Sequence, residues 1–483
     1  MSALEAVLRR GAAVAGAAPH ARLLLDAEGW AALADALAAD DGGALLALWP
    51  GQRSVHAALL DDAGRMVVAS GPAAPGYAAL SPARPGALLF ERAARDLAGI
   101  VAEGAADARP WLDHAEETEW LPAEGPGLHR ILVGPIHAGV IEPGQFRFSL
   151  QGEAVVRLEV RLGFTHKGTL SLMRGKPPWA AARFAARLSG DSTVAHSAAF
   201  ALAVEAACGV AAPPRAQALR VLMLEWERVA NHLHDWGMIC NDAAFAAIHA
   251  ETGRLREAVL RAADAAFGHR LMMDRVVPGG VAADMSGEGA AALRSAALAV
   301  RRAVPGLRRI LEQHASLQDR LAGTGVIAAA LVRRFAAGGV VGRASGRAFD
   351  ARLLPSPLPY AALSPRLATR GEGDVAARVA VRIEELHESL RMVTALLDTL
   401  PDGPLEAPLP PRAGEGSALI EGFRGECFAW VSLDDGGAIR EVFLRDPSWL
   451  HWPLLEAAVQ GNIVADFPVI NTSVNGSCSG CDL

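Results

Sequence analysis

The stretch RAQALRVLMLEWERVANHLHDWG, residues 215–237, decides the fold class. Leu219, Leu222, Trp226, Val229 and Leu233 recur at steps of three and four, the spacing that stacks apolar side chains along one face of an α-helix. Glu225, Arg228 and His232 fall together on another face. Gly237 stands where helices often end in a left-handed residue, so the spacing predicts a helix over 215–237. Arg220, Glu225 and Arg228 are expected to form a buried ion-pair network that fixes its packing.

The same periodicity runs outward from this helix. Asp374, a good N-cap, precedes Val381, Ile383, Leu386, Leu390 and Val393, which predicts a helix to about Leu400. Residues 253–268 and 289–322 read as further helices. Residues 193–212 are almost wholly apolar, but they are built on Ala and contain His196 and Glu205, which makes them a buried helix and not a membrane span. Between Phe146 and Leu162 the apolar residues alternate on either side of Gln151-Gly152-Glu153, the pattern of a β-hairpin. Apolar runs at 44–49 and 55–60, with turns at Asp61-Asp62-Ala63-Gly64 and Gly71-Pro72, describe a small α/β unit. Breakers crowd residues 121–128. A Pro/Gly-rich linker over 404–416 leads to strand-like runs at 427–433 and 439–444. The expected fold class is therefore α+β: a small α/β N-terminal domain (1–120), a linker (121–128) and a mainly helical domain (129–483) with an N-terminal β-hairpin and C-terminal strands.

Bulk composition narrows the class without naming a function. The 483 residues are 51% hydrophobic and 20% charged with a net charge of −7, which excludes a disordered or polyanion-binding chain, so no nucleic-acid partner is expected. The first sixteen residues lack the apolar core of a secretory signal, pointing to a cytoplasmic start. Cysteines stand only at 208, 240, 427, 478 and 481, an odd and sparse set unlike a disulfide framework.

Several segments carry a resemblance in one order: Gly134-Pro135-Ile136-His137 through Glu142-Pro143, Gly163-Phe164-Thr165-His166-Lys167-Gly168, the helix from Arg220 to His232, Gly268-His269-Arg270 with Pro278-Gly279-Gly280-Val281, Gly342-Arg343-Ala344-Ser345-Gly346, Gly373-Asp374 with Arg382-Ile383-Glu384-Glu385, and Arg445-Asp446-Pro447-Ser448-Trp449. Together they resemble the large subunit of energy-converting nickel–iron hydrogenases of the hydrogenase-4 and formate hydrogenlyase type, and its counterpart in complex I. The segment Glu91-Arg92-Ala93-Ala94-Arg95-Asp96-Leu97-Ala98-Gly99-Ile100 resembles the small complex I subunit that partners it, with Ala93 and Ala98 where that family has Glu and Phe.

The resemblance implies a site, and the residues alter it. A nickel–iron centre needs four thiolates from two Cys-x-x-Cys pairs, because soft anionic sulfur binds and bridges these metals. At the first pair this chain has Ser189 and Ser192, whose neutral hydroxyls cannot bridge, so nickel is not expected. Cys478 and Cys481 have the spacing of the second pair, yet they are expected as free thiols or a reversible disulfide before metal ligands. The complex I version has a quinone pocket with a Tyr and a His, and those positions fall at Gly190 and Ile141. His137, Glu142, His166, Asp191 and His196 remain, with Arg343 expected in the cavity wall, so a remodelled polar cavity is implied in which Asp or Glu would have a raised pKa and relay protons. The plainer readings are a packed core histidine for His196 and a structural hydrogen bond for Glu142. The implied role is a peripheral-arm subunit of a hydrogenase-related, NADH:quinone oxidoreductase-like complex at the inner face of the cell membrane. It would carry no cofactor, an iron–sulfur subunit would supply electrons, and membrane partners would translocate ions. The alternative is a non-catalytic scaffold of such a complex.

Overall fold

The computed structural model describes residues 2–38, 43–61, 64–112, 120–137 and 141–483. Its N-terminal part is a five-stranded sheet in the order Ala12–Ala13, Arg22–Leu24, Met66–Pro72, Ser54–Leu60, Ala44–Pro50. The last three strands form an antiparallel meander, and Arg22–Leu24 runs parallel to Met66–Pro72. Gly71 and Pro72 are not the expected turn but the end of a strand, paired with Val55 and Ser54. Gly71 is required there by contact, since a Cβ would lie 2.6 Å from the Trp30 indole. Residues 62 and 63 of the other expected turn lie outside the described residues.

The expected hairpin is present as Gln145–Gln151 and Ala154–Arg161, and Leu128–Val133 adds a third strand to it. The helical part centres on the 29-residue helix Pro214–Asp242, buried along most of its length. This helix runs past Gly237 instead of ending there. A Cβ on Gly237 would fall 2.2 Å from Thr252 Oγ1, so the glycine marks the closest approach to the Ala246–Phe267 helix. The expected helix over 289–322 is two, Gly287–Gln313 and Ala315–Leu321, parted at His314, whose ring nitrogen accepts from Leu317 N. Asp374 caps Val375–Thr399 through Ala377 N at 2.7 Å, as its position predicts.

The two expected C-terminal strands belong to a four-stranded sheet in the order Ile439–Arg445, Glu426–Leu433, Gly414–Glu421, Ala17–Ala18, whose last two members were not expected. Its last member comes from the chain's beginning and pairs parallel to Gly414–Glu421. The linker therefore ends at Gly414, earlier than expected. Helix Thr193–Cys208 lies on this sheet, with Ala203 and Ala207 against Gly416 and Gly414. Gly416 lets the backbones touch, because a Cβ there would be 1.8 Å from Ala203 O. Aromatic rings bind the N-terminal part to this sheet and to the helix Ser448–Val459 after it: Trp49 stacks on Phe443 at 5.2 Å and Phe90 on Trp449 at 4.8 Å. Among the described residues no helix is long and apolar enough to cross a membrane.

Candidate functional site

Two short segments meet over the N-terminus of the Thr193–Cys208 helix. One is the turn Ser189 to Ser192, the other the end of the chain from Asn475 to Leu483. The long helix holds the first in place: Glu227 accepts from Val194 N at 2.7 Å and Ala195 N at 3.1 Å, and Asn231 donates to Asp191 O at 2.8 Å. Burial pushes the Glu227 carboxyl up to about 8, against the pull of these two backbone donors.

Ser477, one residue before Cys478, is the side chain that faces the serine turn. Its Oγ is 3.0 Å from Ser189 Oγ and 3.0 Å from Glu142 Oε2, and Ser189 Oγ donates to Asp191 Oδ1 at 2.9 Å. The chain Glu142, Ser477, Ser189, Asp191 thus has three oxygen–oxygen links but only two hydroxyl hydrogens. The third link is made only when Glu142 is protonated. Burial and the Asp191 charge raise the Glu142 carboxyl, although Ser479 N donates to it at 2.8 Å.

Asp191 behaves oppositely, against the expectation of a raised acid. Burial alone would push it up, but the Arg424 guanidinium outweighs this and holds the carboxyl below its usual range. Arg424 donates from Nη1 to Asp191 Oδ1 at 2.6 Å and Ser192 Oγ at 2.9 Å, and from Nε to Asn475 O at 2.5 Å. A cation therefore already occupies the pocket. The cavity that touches Gly190 and Asp191 is about 10 Å³, room for roughly one water.

The other sequence candidates are placed around this chain. The His166 Nδ1–H donates to Asp482 O at 2.6 Å, which fixes its tautomer, and Asp482 accepts from Gly163 N, Thr165 N and Thr165 Oγ1 at 2.6–2.8 Å. His137 lies against Phe146 with Nε2 unpartnered, and burial lowers its pKa. Residues 138–140 of its loop lie outside the described residues. His196 is buried and meets Asp446 Oδ2 at 2.8 Å. Cys478 and Cys481 are buried free thiols, raised by desolvation, and Cys478 Sγ packs against Gly144. Arg343 takes its partners elsewhere, with Glu385 at 2.6 Å, Glu421 at 2.7 Å and Asp350 at 3.5 Å. Glu225 joins that buried ionic cluster through Arg228 and Arg352, but Arg220 does not, pairing with Glu205 at 2.5 Å. A separate cavity of about 1290 Å³, lined by Leu23, Met66, Leu202, Ala206 and Leu354 among others, contains none of the candidates.

Comparison with known proteins places this geometry in a lineage. The family described as "Respiratory-chain NADH dehydrogenase, 49 Kd subunit" matches residues 243–413. An NADH-quinone oxidoreductase subunit of Dehalococcoides mccartyi is 30% identical over 352 residues, which is 71% of this chain and 95% of that protein. The chain belongs to the 49 kDa subunit family of respiratory NADH dehydrogenases. Formate hydrogenlyase subunit 5 of Escherichia coli is 29% identical over 439 residues, 84% of this chain and 77% of that protein. A solved chain of the membrane-bound sulfane sulfur reductase, an archaeal respiratory membrane complex, superposes with a TM-score of 0.69 at 27% identity, covering 74% of this chain and 98% of that one. These relatives of the 49 kDa family are subunits of membrane-bound, multisubunit hydrogenase-like and complex I-like assemblies.

Sequence reading missed Arg424, Ser477, Asp482 and Glu227. Arg424 follows Phe423 in a tight turn between strands and shows no motif. Ser477 was hidden by its neighbour, because the Cys-x-x-Cys spacing draws attention one residue too far along the chain.

Proposed function

We propose that this chain is a peripheral-arm subunit of a membrane-bound, hydrogenase-related complex, held at the inner face of the membrane by its partners. An iron–sulfur partner carries the electrons and membrane partners translocate ions. The chain itself has no nickel–iron centre, and its remodelled pocket couples the two arms by taking up a proton on Glu142.

The donor set does not fit a nickel–iron group. Ser189, Ser192 and Ser477 offer neutral oxygens, Cys478 is turned to Gly144, and the Arg424 guanidinium sits against Asp191 and Ser192. Soft thiolates are missing from the pocket, and a fixed positive charge opposes a further cation.

The observation that carries the coupling role is the link count between Glu142 and Asp191. A proton entering this chain is favoured at the Glu142 end, since burial raises that carboxyl while Arg424 holds Asp191 as an anion. An electron arriving on a nearby partner cluster would raise proton affinity at Glu142 further, by the same repulsion that Asp191 already exerts.

The test is Glu142→Gln in the native complex. Loss of turnover with intact assembly supports coupling through Glu142. Unchanged turnover supports the second reading, a scaffold, which the dense ion pairing of Arg424 and Arg343 favours. Stoichiometric nickel in the purified complex would overturn both.

A further inference from the structure

Behind the serine turn three different metal-binding side chains converge on one buried point. His196 comes from the first turn of the Thr193–Cys208 helix, Cys427 from the strand Glu426–Leu433, and Asp446 from the residue after the strand Ile439–Arg445. None is more than 1% exposed. His196 Nε2 is 2.8 Å from Asp446 Oδ2 and 4.0 Å from Cys427 Sγ, and the three donor atoms all lie within 4.8 Å of one another. Among the described residues no other three such donors converge in this way.

We propose that His196, Cys427 and Asp446 form a mononuclear site for a borderline divalent ion of the zinc or cobalt(II) type. One nitrogen, one sulfur and one oxygen donor match that class, whereas magnesium and calcium select oxygen alone. Bonds of about 2.0–2.3 Å in a tetrahedral site put donor atoms roughly 3.2–3.8 Å apart, so the carboxylate and imidazole separate slightly and the thiol closes in. The protons balance simply. The Cys427 thiol gives its proton to solvent, and the imidazole proton resides on Nδ1, which has no protein partner. The thiolate and the carboxylate then offset the charge of the ion, and no electron moves. Three protein ligands leave a fourth position for a water.

Such a site differs from a nickel–iron centre in every ligand. It uses none of the three serines, and it does not depend on the coupling role of Glu142. Asp446 connects the two places in space, because it lies against Gly480, where a Cβ would fall 2.6 Å from its carboxyl carbon.

The test is to produce the full chain in cobalt-supplemented medium and to measure both metal content and the near-ultraviolet thiolate-to-cobalt charge-transfer band. About one cobalt per chain is expected, with a band that disappears in Cys427→Ser and persists in Cys240→Ser and Cys481→Ser. A wild-type chain without stoichiometric cobalt or zinc overturns the proposal, as does a band that survives Cys427→Ser or that Cys481→Ser removes. Should Cys427→Ser fail to fold, His196→Asn and Asp446→Asn must each lower the cobalt content of the folded chain. Unchanged occupancy in both overturns the site. A nickel result, positive or negative, leaves this measurement unaffected.

Discussion

Arg424 Nη1 lies 2.6 Å from Asp191 Oδ1, joining the turn between two C-terminal strands to the loop that opens the Thr193–Cys208 helix. The pair joins residues 233 positions apart, so both halves of the pocket depend on it.

Replacing Arg424 with Met keeps the bulk and removes the charge. Stability should fall by about 2 kcal/mol, below the usual cost of breaking a buried pair because the Asp191 side chain is still 39% exposed. The acid limb should change too. Asp191 has its folded pKa depressed, so it stabilises the protein above the unfolded value and that contribution is lost as pH falls through the folded one. Urea titrations below about pH 4 should show a shallower loss in Arg424→Met than in the natural chain.

Glu142 has the opposite sign. Its folded pKa is raised, so its favourable contribution is complete below the ordinary carboxylate pKa and disappears as pH rises through the folded value. Glu142→Gln imitates the protonated form. The variant should match the natural chain in thermal stability at pH 5 and exceed it at pH 8. A carboxylic C=O stretch present in the natural chain should be missing from the variant's infrared spectrum.

Returning sulfur to Ser189 and Ser192 should not restore a metal centre. The double variant Ser189→Cys, Ser192→Cys still has Ser477 opposite and Arg424 between. Purified alongside hydrogenase maturation factors, it should contain only substoichiometric nickel by elemental analysis.

Gly237→Ala should destabilise the protein, although alanine ordinarily improves a helix interior by about 1 kcal/mol. The new methyl would sit 2.2 Å from Thr252 Oγ1, and overpacking of this kind costs about 1–3 kcal/mol. Adding Thr252→Ala should recover much of the loss in urea unfolding.

Much of the fold was legible because periodicity reports burial. The helices around Leu219 and Val381, the hairpin at Phe146 and the closing strands all appear where apolar spacing puts them. Ends were less legible, since Gly237 and Gly71 look like breakers in sequence but serve as contact points against Thr252 and Trp30. The site was legible only in its first half. Ser189, Asp191 and Glu142 could be read from the motif, but their long-range partners Arg424 and Ser477 could not, because nothing local marks a residue whose role is to meet another 233 or 288 positions away.

The short strand Ala17–Ala18 has a consequence for how the molecule is made. Its sheet neighbour, Gly414–Glu421, is made far later, and the Arg22 to Glu415 ion pair at 2.6 Å, 393 positions apart, can close only then. The Ala17–Ala18 segment must wait for this partner while everything between them is made. Cutting the gene between the two regions would leave each product with an open sheet edge, so co-expressed halves should be recovered together or not at all.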